Sequence, residues 1–66
     1  MNNTLTNIRN LSLEELKTSF TEFGEKAFRA KQVWEWLWQK NAHSFDQMSN
    51  LSLAFRAWLT SHYYID

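Results

Sequence analysis

Residues 24–40 read GEKAFRAKQVWEWLWQK, with Lys26, Arg29 and Lys31 crowded into the first half and Trp34, Trp36 and Trp38 into the second. Cations and indoles in one short stretch suit contact with a nucleic acid. Ammonium and guanidinium groups beside the unpaired N–H groups of a helix start attract phosphate, and an exposed indole offers a face on which an unpaired base stacks. Lys26, Arg29 and Lys31 are therefore candidate phosphate-backbone contacts, with Lys40 and Arg56 as outer contacts and Trp36 as the stacking platform for an unpaired base. The plainer alternative is a solvated helix face beside a tryptophan core, because Glu25 and Glu35 dilute the positive run.

The chain offers little with which to transform a substrate. It has no cysteine, so it lacks a thiolate nucleophile, a disulfide and a thiolate-held metal. His43 and His62 stand alone, outside any metal-ligand spacing, and surface or capping places account for both. Glu14 and Glu15 fit the start of a helix, and a single glycine cannot build a phosphate-cradling loop. No catalytic and no metal-ligating residue is expected, and no cofactor held by this chain.

Sixty-six residues make one domain at most, and one too small to bury a large share of its surface. Four Trp, five Phe and two Tyr compensate, since each aromatic ring buries a large apolar area, and they point to a folded domain rather than a disordered one. Seven basic and seven acidic side chains cancel, so any field that attracts a polyanion has to be local. No apolar stretch is long enough for a membrane span, and MNNTLTNIRN lacks the apolar core of a secretory signal. A cytoplasmic monomer with no membrane partner is expected.

The elements that position the basic and aromatic run follow from spacing. Residues 1–10 are polar and Asn-rich and read as a disordered N-terminal tail. Ser12 and Glu15 form a capping box, and Leu13, Leu16, Phe20 and Phe23 place one apolar stripe on a first helix. Gly24 stops it in the left-handed region. A second helix is predicted from Glu25–Ala27 to about Lys40, with Ala27, Ala30, Val33, Trp34 and Leu37 on the core face, Trp38 on its flank and Trp36 well away from it. Ser44 caps a single turn over Phe45–Met48 with Gln47 at its third position. SNLS caps a last helix carrying Leu51, Phe55, Trp58 and Leu59, and residues 63–66 read as the start of a following segment, the first residues of a strand whose partners are missing. The fold class is all-α: a small bundle of three main helices plus a short helical turn over residues 11–62, helix-hairpin-helix-like because Gly24 makes the first turn tight.

The order of residues carries more than their count. LSLEEL, then GEKAFRAKQVWEWLWQK, then SFDQMSNLSLAFRAWL resembles the N-terminal accessory domain of the RlmN-like radical-SAM adenine-C2 methyltransferases, which modify large-subunit (23S) ribosomal RNA and tRNA. The resemblance runs from Leu11 to Tyr64. It rests most on Gly24, Glu25, Lys26, Phe28, Arg29, Ala30, Gln32, Val33 and Trp36, and on Phe45, Asp46, Met48, Ser49, Asn50 and Leu51. It implies a helical domain of helix-hairpin-helix character and a parent enzyme that uses S-adenosylmethionine, a 4Fe–4S cluster and a methyl-carrying cysteine. None of that machinery is in this sequence. The family's cluster motif lies downstream of the matched region, so the resemblance assigns no catalytic residue here.

Two functions follow. In the first, the domain contacts ribosomal RNA and tRNA without catalysing anything, and positions them for the catalytic radical-SAM domain of the same chain. In the second, it is an intramolecular docking module whose exposed aromatics, Trp36, Tyr63 and Tyr64, pack on that domain without touching RNA. A free-standing helix-turn-helix DNA reader fits least, because no helix presents Arg, Asn and Gln in a run suited to base edges.

Overall fold

The computed structural model describes residues 5–66. Three helices dominate it: α1, Leu13–Phe23; α2, Phe28–Trp38; and α3, Leu53–His62. Short 3-10 turns at Ile8–Asn10 and Phe45–Gln47 precede α1 and α3, and two-residue strands, β1 at Thr6–Asn7 and β2 at Tyr63–Tyr64, flank the set. The all-α class holds, and the strand pair is a local clasp.

The ends of α1 follow from its sequence. Ser12 Oγ accepts the Glu15 amide at 3.1 Å while Glu15 Oε1 accepts the Ser12 amide at 2.7 Å, completing the capping box. At the other end Gly24 takes φ 113°. Its amide donates to the Thr21 carbonyl at 3.1 Å and that of Glu25 to the Phe20 carbonyl at 2.9 Å, the paired bonds of a Schellman turn. α1 then packs on α2 through the tight connection that follows.

α2 starts at Phe28 and ends at Trp38, short of the expected span at both ends. Chain leaving the Schellman turn needs three more residues before it closes helical bonds. Asn41, at φ 53°, then turns the chain away beyond the helix. At that end the Glu35 carbonyl accepts the Gln39 and Lys40 amides and the Trp36 carbonyl the Ala42 amide. Ser52 caps α3 by accepting the Phe55 amide at 3.1 Å.

The core lies where the three helices meet, on Leu16 and Phe20 of α1, Ala30, Val33 and Leu37 of α2, and Phe55 and Leu59 of α3. Phe20 meets Phe55 edge to face at 4.9 Å, a geometry worth about 0.5–1.5 kcal/mol beyond area burial. Two expected core positions fall elsewhere: Ala27 is exposed and Trp34 is half-buried.

The expectation of a disordered tail is corrected for residues 5–10; residues 1–4 lie outside the described residues. Ile8 is fully buried, and β1 pairs in parallel with β2, Thr6 opposite Tyr63 and Asn7 opposite Tyr64. Asn7 Oδ1 caps the 3-10 turn by accepting the Arg9 amide at 3.1 Å. One apolar anchor makes no periodic pattern, so composition concealed it. The strand expected at Tyr63 is present, and its partner lies within this chain.

Candidate nucleic-acid interface

Ala27 precedes α2 as its N-cap without a side-chain hydrogen bond, and the first turn carries no carboxylate. The Arg29 and Ala30 amides close tight bonds to the Lys26 and Ala27 carbonyls, both at 3.0 Å, so no side chain is needed to cap them. Lys26 lies exposed in the turn just before α2. Charge is distributed unevenly around it: α1 holds Glu14, Glu15 and Glu22 against Lys17, whereas residues 26–40 hold Lys26, Arg29, Lys31 and Lys40 against Glu35. Net neutrality hides this polarity.

The cations of α2 do not share one face. Arg29 and Lys31 are two residues apart, about 200° around the axis, so they leave the helix on opposite flanks. On the first flank Arg29 is half-buried and engaged. Its Nε lies 3.5 Å from Glu25 Oε1, and its Nη1 donates to Gln32 Oε1 at 2.8 Å and to the Asn50 carbonyl at 3.4 Å. Its guanidinium also sits 4.9 Å from the centre of the Phe28 ring.

Trp36 belongs to the same flank, and its expected exposure is corrected. The ring is half-buried against the core, Nε1–H donates to Asn50 Oδ1 at 2.9 Å, and Lys40 Nζ lies 4.3 Å from the ring centre. Asn50 thus ties both Arg29 and Trp36 to the turn before α3. Arg56 Nη1 donates to the Asp46 carbonyl at 3.2 Å.

The second flank holds Lys31, Trp34 and Trp38. Lys31 is exposed, and among the described residues the ion pairs are Lys17 with Glu14 and Arg29 with Glu25. Trp34 and Trp38 lie 5.9 Å apart, and Trp38 is 48% exposed. The Arg9 guanidinium sits 5.0 Å from the Trp38 ring centre. Nothing in the sequence marks Arg9, and helical spacing puts Trp38 on the flank of the core face, where the structure leaves it exposed. Its alignment with Lys31 was recoverable: Trp38 is seven residues from Lys31, within about 20° of two full turns.

Fold and site together define a small helical domain with a cation-bearing, indole-rich helix. Comparison with known proteins gives the family. The model of the ribosomal RNA large subunit methyltransferase N-terminal domain matches residues 6–65, and the chain belongs to that family. A probable dual-specificity RNA methyltransferase RlmN of Cytophaga hutchinsonii is 54% identical over 59 residues, 89% of this chain and 16% of that protein. The dual-specificity RNA methyltransferase RlmN of Nitratidesulfovibrio vulgaris strain DP4 is 59% identical over 54 residues, 80% of this chain and 15% of that protein. A probable RlmN of Lachnoclostridium phytofermentans is 54% identical over 56 residues, 85% of this chain and 16% of that protein. The chain thus spans about a sixth of the length of the curated relatives it matches.

An iron–sulfur cluster does not fit the residues present. The sequence has no cysteine, and among the described residues no group of three or more His, Asp or Glu is placed to hold a metal ion. Nor, among them, is any helix long and apolar enough to cross a membrane.

Proposed function

We propose that this chain is the RNA-contacting accessory domain of a dual-specificity adenine-C2 methyltransferase acting on ribosomal RNA and tRNA, without catalytic residues of its own. In this reading the parent enzyme is cytoplasmic and takes its S-adenosylmethionine and 4Fe–4S chemistry from sequence outside this chain. The domain holds RNA for the radical-SAM domain. The observation that carries the reading is the run of four cations to two carboxylates over residues 24–40, three of the cations exposed, in a family whose relatives are named RNA methyltransferases. Lys26, Lys31 and Lys40 are exposed cations suited to phosphate, whereas Arg29 and Trp36 are held by neighbours and serve as the frame.

The test is a titration of the chain with tRNA and with a ribosomal RNA hairpin over a range of salt. The log–log slope of affinity against salt should shrink by about 0.7–0.9 for each phosphate-binding cation removed by Lys26→Gln, Lys31→Gln or Lys40→Gln. Binding and slope unchanged in the triple variant would sink the reading.

Exposed apolar surface favours a second reading, docking on the catalytic domain. Leu53 is 76% exposed and Tyr64 46%, and a cleft of about 300 Å³ is lined by Leu5, Phe45, Tyr63, Tyr64 and Ile65 among others. Under that reading the triple Gln variant of the full-length enzyme binds RNA as the wild type does, while Leu53→Ser loosens the domain from the remainder.

A further inference from the structure

We propose that Trp38 is the residue on which an unpaired nucleobase of single-stranded RNA stacks, with Lys31 and Arg9 supplying charge beside it. This rests on the RNA-contact reading and adds the residue and the state of the nucleic acid.

Base stacking needs an aromatic face that is both accessible and near uncompensated positive charge. Trp36 has Lys40 beside it but fails on access, since its ring is half-buried against the core and its N–H is spent on Asn50. Phe28 is 53% exposed, but the guanidinium over it belongs to Arg29, which pairs with Glu25. Trp38 meets both.

Arg9 is the reason. Its Nη1 and Nη2 donate to the carbonyls of Leu37 and Ala42 at 2.7 and 3.3 Å, neutral partners that leave its charge uncancelled. Those bonds also hold the guanidinium in place 5.0 Å from the indole centre. Lys31 stands on the same flank, about 10 Å along the axis, within reach of the backbone next to a base stacked on Trp38. Glu35 is the one carboxylate in this helix, a turn from Lys31, and it takes part in neither ion pair named for the described residues. A base on Trp38 therefore carries its neighbouring phosphates toward Arg9 and Lys31, two cations against the single Glu35 carboxylate on that flank. Duplex RNA does not suit the site, because its bases are stacked inside an A-form helix and present no free face.

The test uses the 66-residue chain, Trp38→Ala and Trp38→Phe, titrated at low salt with short oligoadenylate, an RNA duplex of equal length and inorganic polyphosphate, a polyanion without bases. Circular dichroism and dispersed amide resonances check the fold of each variant. Trp38→Ala should weaken oligoadenylate binding about 5- to 150-fold, the range for loss of one stacked base, while Trp38→Phe stays within a few-fold and polyphosphate binds all three alike. The wild-type Trp38 indole N–H resonance should shift with oligoadenylate and not with the duplex; if Trp38→Ala unfolds, this shift decides alone. An unshifted Trp38 resonance, with Lys31→Gln still weakening binding, overturns the stacking assignment and leaves the RNA-contact reading standing. No salt-dependent binding of any RNA removes both.

Discussion

Arg9 donates through Nη1 to the carbonyl of Leu37, 28 positions away, at 2.7 Å. The same guanidinium reaches the Ala42 carbonyl, so one side chain from the segment before α1 closes the far end of α2. Hydrogen bonds from a charged donor are worth about 1.5–3 kcal/mol. Arg9→Ala should cost that much and lower the midpoint of thermal unfolding by roughly 4–8 °C per kcal/mol for a domain of this size. Arg9→Lys should recover part of it, because an ammonium lacks the planar fork that spans two carbonyls. Melting followed by circular dichroism measures both.

Gly24 is the second point of sensitivity. At φ 113° a side chain is strained, although an added Cβ would meet nothing within 4 Å. The penalty is therefore backbone strain alone, about 1–2 kcal/mol for Gly24→Ala. Gly24→Asn should cost less, since Asn tolerates the left-handed region better. In urea the midpoint falls and the slope stays constant.

Ile8 tests whether the segment before α1 is structural. A buried Ile→Ala change costs about 2–5 kcal/mol, and a single core in a chain this small rarely supplies more than about 3–5 kcal/mol. Ile8→Ala should leave much of the population unfolded at room temperature. Loss of amide dispersion in NMR spectra is the readout, and a spectrum like that of the wild type would refute the placement of Ile8.

Asn50 joins the turn before α3 to the first flank of α2. Asn50→Ala removes the acceptor from Trp36 Nε1–H. The expected cost is about 0.5–1.5 kcal/mol, the usual net worth of one such bond. The Trp36 indole proton should move upfield and exchange faster with solvent, while the other three indoles stay put.

Much of the scaffold was legible because it is written in local signals. Ser12 with Glu15, Gly24 and Ser52 mark helix ends through bonds made within a few residues, so spacing located them. The site was legible in residue type and much less in arrangement. Arg29 and Lys31 look like one patch in sequence, yet two steps of 100° send them to opposite flanks, a geometry the helix itself dictates. Arg9 on Trp38 and Asn50 on Trp36 were beyond reach, because both depend on how distant segments pack. The β1–β2 pairing was hidden for the same reason: each strand is two residues long and draws on its partner 57 positions away.

That pairing has a mechanical side. Because the strands run parallel, a pull between residue 5 and residue 66 drags them past each other in shear, loading their shared bonds together instead of peeling them one at a time. Ile8 and Arg9 follow directly behind β1, so slippage there would next draw on the core and on the end of α2. The clasp thus acts as a strain relief: tension arriving at either terminus is resisted before the Lys31–Trp38 flank feels it.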